Sequence, residues 1–137
     1  MLSRACPPCY SVRMHTRYRD IKAFITKDGS EIRELMHPSR HRVRHQSLAE
    51  ATVLPGHETL LHKHRQTEEI YYILQGRGRM TLGDEEFDVA PGDTICIAPD
   101  TAHKIFNTGE SLLKILCACA PPYSDGDSEL LQTVDGH

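Results

Sequence analysis

Residues 56–76 read GHETLLHKHRQTEEIYYILQG and combine strand-forming residues with a dense group of histidines and carboxylates. The segment around His62 and His64 has no helical periodicity and is predicted to be extended. Because side chains alternate between the two faces of a strand, both imidazoles point to one side and the lysine between them to the other. Glu68 and Glu69 follow after a short polar link and precede a second strand-like run. The stretch therefore predicts two strands that bring a histidine pair close to a carboxylate.

A third imidazole, His103, stands at the start of another predicted strand some forty residues later. Imidazoles combined with one carboxylate suit divalent Mn, Fe, Co, Ni, Cu or Zn, whereas Ca and Mg prefer shells made of oxygen. A His-x-His pair is also common as a surface pair or as hydrogen-bonded core residues. The pair by itself therefore leaves a metal site and these two alternatives open.

From Gln46 onward the chain breaks into short runs of β-branched and apolar residues separated by Gly, Pro and Asp. This pattern is typical of an antiparallel double sheet closed into a small barrel. The predicted strands are 47–54, 58–64, 69–75, 78–82, 86–90, 94–98, 103–107 and 111–119. Before them, Ser30–Met36 fits either one helical turn that ends before Pro38 or an edge strand.

Fixed spacings link the residues of the opening stretch. Gly56 is followed after five residues by His62 and His64, then after four residues by Glu69 and after six more by Gly76. This arrangement resembles the first sequence motif of the cupin superfamily, which is Gly, five residues, His-x-His, three or four residues, Glu, six residues and Gly. Every fixed position of that motif is matched.

A second group of residues resembles the second cupin motif, which is Gly, five residues, Pro-x-Gly, two residues, His, three residues and Asn. Gly92, His103 and Asn107 occupy their expected positions. Ala98 and Asp100 stand where Pro and Gly are usual. Because Asp tolerates turn conformations, we expect the following histidine to keep its place.

The resemblance implies an all-β fold, the double-stranded β-helix or jelly-roll barrel of cupins, of the small single-domain "cupin 2" type. It also implies one divalent transition metal per chain, Mn, Fe, Ni, Cu or Zn, bound inside the barrel by His62, His64, Glu69 and His103. Glu69 is favoured over Glu68 because only Glu69 keeps the six-residue spacing to Gly76. These ligands do not determine which metal is bound.

Residues that share the inward parity of these ligands predict the lining of a pocket. They are Leu60, Tyr71, Ile73, Ile105 and Asn107. Tyr71 is the candidate proton or hydrogen-bond donor, with an aromatic core residue as the alternative. Cys117 and Cys119 share a face of the last strand and are interpreted as buried hydrophobic residues, with a second metal-binding pair as the alternative.

With four protein ligands, an octahedral metal keeps two positions for water, dioxygen or a chelating substrate. We therefore expect a metal-dependent enzyme acting on a small oxygen-rich metabolite, of the oxygenase, decarboxylase, isomerase or lyase type. Because the pocket has few acids and bases, the alternative is a non-catalytic module that binds or senses a small molecule. We also expect a homodimer, because small cupins commonly pair and residues 18–44 have no core of their own.

Composition excludes several other classes of protein. The chain has 137 residues, and its longest apolar run, Ile115–Ala120, is far shorter than the ~20 residues that cross a bilayer, so no membrane span is predicted. The five cysteines are odd in number, which argues against a disulfide scaffold and favours the cytoplasm. Cys6 and Cys9 have the spacing of a redox or zinc half-site but lack a second pair.

The charge is unevenly distributed along the chain. Residues 1–45 carry ten Lys and Arg against four Asp and Glu, although the whole chain has a net charge of −3. This basic segment contains no nucleic-acid recognition motif, so we expect no nucleic-acid partner. The predicted organisation is a mobile tail (1–18), a basic extension that packs on the barrel or on a dimer partner (19–45), the barrel (46–123) and a frayed tail (124–137).

Overall fold

The computed structural model describes residues 14–132, which form two antiparallel β-sheets. Short 3₁₀ turns lie at Tyr18–Asp20 and Asp125–Asp127. The strands are β1 (Phe24–Ile25), β2 (Glu31–Met36), β3 (Ser47–Val53), β4 (His62–His64), β5 (Glu68–Gln75), β6 (Gly78–Leu82), β7 (Glu85–Val89), β8 (Thr94–Ile97), β9 (His103–Asn107), β10 (Leu113–Ala120) and β11 (Ser128–Leu130).

The six-stranded sheet has the order β1-β2-β3-β10-β5-β8, and the five-stranded sheet has the order β11-β4-β9-β6-β7. Neighbours in these orders are mostly distant in sequence, as in β10, which pairs with both β3 and β5. The two sheets form a jelly-roll barrel, so the predicted fold class is confirmed.

Alternation of side chains along the strands builds the core between the sheets. Burial alternates along β10 from Leu113 to Cys119, with every second residue facing inward. The largest fully buried apolar side chains come from both sheets and are Ile73, Met80, Ile97, Ile105, Leu113 and Ile115. Burying one such side chain contributes about 1.5–3 kcal/mol, so this inward set is what holds the sheets face to face.

The structure corrects one predicted strand near His62 and decides between the two alternatives for residues 30–36. The strand predicted at 58–64 is only His62–His64, because the chain first turns at Gly56, whose φ is +77°, and then makes one isolated bridge from Glu58 to Phe106. Of the two alternatives for residues 30–36, the edge strand is the one that forms. It is β2, and it pairs with β3.

The prediction of a frayed tail after Ser124 is wrong for the described part of that tail, which ends at residue 132. Residues 128–130 are strand β11 and pair with β4. The Asp127 carboxylate accepts hydrogen bonds from the backbone N–H groups of Gln66 and Thr67, at 2.9 and 3.0 Å. These long-range contacts anchor a polar segment that has no apolar pattern of its own.

The extension predicted for residues 19–45 supplies β1 and β2, so the six-stranded sheet reaches beyond the predicted barrel limits of 46–123. Tyr18 also packs there, with its hydroxyl donating to the Glu50 carboxylate at 2.5 Å. Cys6 and Cys9 lie outside the described residues. Among residues 14–132, no helix has the length and apolar character needed to cross a membrane.

Candidate metal centre

Four side chains from three strands converge inside the barrel. His62 and His64 alternate with an outward lysine in β4, His103 begins β9 directly opposite His62, and Glu69 is the second residue of β5. All four are buried. One ring nitrogen from each of the three histidines lies within 4.8 Å of the others. The structure therefore brings together the four residues that the sequence predicted as ligands.

Hydrogen bonds to backbone carbonyls fix the tautomers of two of these histidines. His62 Nδ1 lies 2.7 Å from the carbonyl oxygen of Leu60, and His103 Nδ1 lies 2.9 Å from that of Thr101. A carbonyl oxygen only accepts, so each Nδ1 carries the proton and donates it. In the neutral ring this leaves the lone pair on Nε2, where a metal ligand requires it.

His64 reaches the same state through a serine hydroxyl. Its Nδ1 lies 2.8 Å from Ser128 Oγ, and that oxygen lies 3.0 Å from the backbone carbonyl of Ser124. The Ser128 hydroxyl has one proton and donates it to this carbonyl, so it accepts the proton of His64 Nδ1. Strand β11 thus orients the third imidazole with its Nε2 lone pair turned inward.

Glu69 faces these lone pairs. Its Oε1 lies 3.2 Å from His64 Nε2 and 3.7 Å from His103 Nε2. Among the described residues, Glu69 Oε1 and His103 Nε2 are buried polar atoms without a hydrogen-bond partner. Buried acceptors that face one another are costly unless something positive lies between them. The three nitrogens and one carboxylate oxygen therefore fit a borderline divalent metal ion.

The electrostatics of the site favour ligand protonation states suited to a metal. Burial opposes ionisation of Glu69, but hydrogen bonds and positive charge from His103 and His64, available once these imidazoles take up a proton, outweigh that effect and lower the pKa of its carboxyl to about 2. Burial, followed by the nearby His103, lowers the pKa of His62. At neutral pH the site thus offers a carboxylate anion and a neutral imidazole.

His62, His64 and Glu69 face a cavity whose walls are mainly apolar, with Ala49, Ala51, Val53 and Ile115 from the six-stranded sheet. Tyr71 and Ile105 also line it. Burial, and then the charge of Glu69, raise the pKa of Tyr71 well above its ordinary value, so its phenol stays protonated. The Tyr71 ring meets the His103 ring edge-on, with the ring centres 6.1 Å apart.

The other three residues predicted to line the pocket do not lie on its wall. Leu60 contributes its backbone carbonyl to His62 instead of its side chain to the cavity. Ile73 is fully buried in the apolar core. The Asn107 amide donates to the carbonyl oxygens of Val53 and Ser111, both at 2.8 Å, and so holds the loop before β10. Strand parity gave the inward direction of Ile73 and Asn107 but not their distance from the candidate ligands, and Leu60 lies before β4, where no strand alternation applies.

Cys117 and Cys119 are buried free thiols on the cavity wall. Cys119 stands opposite Glu69, and Cys117 stands opposite Tyr71 in the pairing of β10 with β5. Burial, then the charge of Glu69, raise the pKa of each thiol, so both stay protonated and weakly polar.

Sequence reasoning missed two residues that contact the ligands. Ser128 fixes His64, and Asp28 places its Oδ2 3.6 Å from His62 Nε2. Both lie outside the predicted barrel, at positions where the sequence shows only polar turn-forming residues. The Asp28-Gly29-Ser30 pattern indicates a turn, but nothing local indicates that this turn enters the cavity.

A match to the "Cupin domain" family covers residues 49–119, just over half of the chain. The chain belongs to the cupin family. An uncharacterized protein of Methanocaldococcus jannaschii is 60% identical over 117 residues, which are 85% of this chain and 94% of that protein. The predicted cupin relationship is therefore confirmed.

Solved structures agree with this cupin assignment. A protein of Thermotoga maritima, described as a predicted oxalate decarboxylase, has 25% sequence identity and a TM-score of 0.67, over 79% of this chain and 99% of that one. The polyketide cyclase RemF of Streptomyces resistomycificus has 20% identity and a TM-score of 0.75, over 91% and 89% of the two chains. The second likeness shows a shared fold alone.

Proposed function

We propose that this cupin is a metal-dependent enzyme that acts on a small oxygen-rich metabolite, by oxygenase, decarboxylase, isomerase or lyase chemistry. His62, His64, Glu69 and His103 would hold one divalent transition metal. The observation that supports this proposal is the convergence of one ring nitrogen from each of three buried histidines beside a buried carboxylate oxygen that has no partner among the described residues. The similarity to the Thermotoga maritima protein, itself a predicted oxalate decarboxylase, is compatible with this reaction range.

A bound metal would supply Lewis-acid or one-electron chemistry to a carboxylate, enol or hydroxy-carbonyl group. The side chains around it have separate tasks. The protonated Tyr71 phenol on the cavity wall is placed to donate a hydrogen bond or a proton to a bound molecule. The apolar residues of β3 and β10 keep bulk water from the site and so strengthen polar interactions within it.

Elemental analysis of protein purified without chelators tests the metal, and His62→Ala and His103→Ala test the ligands. His57→Ala is the matched control, because His57 is exposed and its side chain bonds, among the described residues, only to the carbonyl oxygen of Pro55. We expect about one Mn, Fe, Ni, Cu or Zn per chain in the wild type and the control, and loss of metal from the two ligand variants.

Assays of oxygen uptake, decarboxylation and isomerisation over a panel of hydroxy and keto acids and sugar derivatives then test catalysis. Turnover is expected to disappear together with the metal. Retained turnover in a metal-free variant would contradict the proposal. A ligand that raises the melting temperature of the metal-loaded protein and is never consumed would instead support the non-catalytic binding or sensing module.

We propose further that two copies of the chain pair through the outer face of the six-stranded sheet. Ile70, Tyr72 and Leu74 of β5 are each more than 40% exposed there, and Leu116 of β10 lies opposite Tyr72. Such a contiguous apolar face can cover itself around a two-fold axis, as in most homodimers. A reducing, cytoplasmic setting is proposed as well, because the three cysteines of the described residues are free thiols.

A further inference from the structure

The turn between β1 and β2 carries Asp28 into the metal cavity. Its backbone carbonyl accepts a hydrogen bond from the Leu60 N–H at 2.8 Å, which ties this turn to the segment leading into β4. The side chain lines the same cavity as the candidate ligands and is largely shielded from solvent, with 14% of it exposed. Asp28 is thus a second carboxylate beside the metal centre, and it comes from outside both sequence motifs.

The two oxygens of this carboxylate have different surroundings. Oδ1 accepts hydrogen bonds from the Ser30 backbone N–H at 2.9 Å, the Ser30 hydroxyl at 2.7 Å and the Thr26 hydroxyl at 2.8 Å. Oδ2 receives no hydrogen bond from any residue in the range 14–132, and it lies 3.6 Å from His62 Nε2. Because that nitrogen carries a lone pair, the contact is not a hydrogen bond. One oxygen therefore holds the turn while the other remains free to accept from a bound molecule.

The charge of the cavity wall restricts what that molecule can be. Three carboxylates line the cavity, those of Asp28, Glu34 and Glu69. Among the described lining residues, Lys27 is the single Lys or Arg, and its Nζ donates to the backbone carbonyls of Asp125 and Ser128 at 2.8 and 3.1 Å. A ligand with two carboxylates would therefore find no free cationic side chain for the second one and would face the Asp28 carboxylate.

We propose that Asp28 is a specificity-determining residue that accepts a hydrogen bond through Oδ2 from a hydroxyl group of the bound substrate. This inference rests on the proposed metal-dependent function. The substrate class is a hydroxy acid or hydroxy ketone with at most one negative charge and an apolar remainder that fits the walls formed by β3 and β10. A dianion without a donor group binds less tightly, because the Asp28 carboxylate repels its second charge and Oδ2 is left without a hydrogen-bond donor. The unfavourable contact with the wrong ligand thus provides the specificity.

Glycolate and oxalate are suitable probes, because both can chelate a metal through two oxygens in a ring of the same size. Glycolate carries one charge and keeps a hydroxyl donor, whereas oxalate carries two charges and has none. Titration calorimetry on metal-loaded protein gives both dissociation constants for the wild type, Asp28→Asn and Asp28→Ser. Asp84→Asn removes the same charge at an exposed turn between β6 and β7 and serves as the control.

In Asp28→Asn, the ratio of the oxalate to the glycolate dissociation constant is expected to fall at least tenfold. Asp28→Ser is expected to shift the ratio in the same direction, and the Asp84 variant to keep the wild-type ratio. The asparagine keeps an oxygen that can hold the turn, so its metal content should stay at the wild-type level. An unchanged ratio in both Asp28 variants, or no binding of either acid to the metal-loaded wild type, would overturn this inference.

Metal content separates the possible failures. If the wild type holds metal and Asp28→Asn loses it, Asp28 is a metal ligand, and the specificity role is wrong while the metal-dependent function stands. If the wild type itself holds no metal, the proposed function fails and this inference fails with it.

Discussion

Replacing Ser128 with alanine removes the hydroxyl that accepts the Nδ1 proton of His64. Both side chains are buried, so no bulk water is at hand to replace the lost partner. The imidazole must then leave a buried donor unpaired, rotate or change tautomer. Rotation would turn the Nε2 lone pair away from the metal position, and a change of tautomer would place the proton on Nε2. The variant is therefore expected to weaken metal binding although Ser128 is not itself a ligand.

The size of the effect follows from these contacts. Loss of a partner that orients a metal-bound histidine typically lowers metal affinity by about 10–100-fold, or ~1.4–2.7 kcal/mol. A buried donor left without an acceptor costs about 1–3 kcal/mol of folding stability. For a domain of this size, each kcal/mol lowers the melting temperature by roughly 4 °C. The metal-free variant should therefore melt on the order of 4–12 °C below the wild type.

Competition with a chromogenic chelator measures the metal affinity, and thermal unfolding of the metal-free protein measures the stability. Ser128→Thr keeps a hydroxyl and should recover most of the affinity. Ser111→Ala is the control, because Ser111 is exposed and contributes its backbone carbonyl, not its side chain, to the bond with Asn107. If Ser128→Ala binds metal and melts like the wild type, the argument that β11 fixes the tautomer of His64 is refuted.

Two further predictions concern acid stability and assembly. The metal-free protein should lose stability as the pH falls below 6.5, the ordinary pKa of histidine. The reason is that the pKa of His62 is lowered in the folded state, so the unfolded chain takes up the proton first. A further loss of stability should follow between pH 4.5 and about 2, where Glu69 stays ionised only in the folded state. Urea unfolding at pH 7.5 and 5.5 measures the first step, His62→Gln should reduce it, and stability that rises on acidification would contradict it. Tyr72→Lys should convert a dimer into a monomer in sedimentation experiments, because it places a charge within the exposed apolar face of β5. Phe106→Lys, on the five-stranded sheet, is the control and should leave the dimer intact. A wild type that sediments only as a monomer at micromolar concentration would reject the homodimer.

Local features of the sequence predicted most of the barrel strands, and the cupin resemblance implied the four candidate ligands. Alternation along β4 places His62 and His64 on one face, and this depends only on the geometry of an extended chain. The Gly56 and Gly76 positions adopt positive φ values of 77° and 88°, which glycine permits and other residues rarely adopt. Spacing between such turns, together with the cupin resemblance, was therefore informative before any contact was known.

What the sequence could not determine is what surrounds these ligands. Ser128 meets His64 across 64 positions of chain, and Asp28 meets His62 across 34. Neither segment has an apolar period that would mark it as ordered, and polar turn residues look alike whether they face solvent or a cavity. The sequence by itself determined the strand pattern and the inward parity of the ligands, because both follow from alternation and turn geometry within a few residues. Only the tertiary structure decided which polar residues complete the site, because those contacts arise from the pairing of strands and turns that are far apart along the chain.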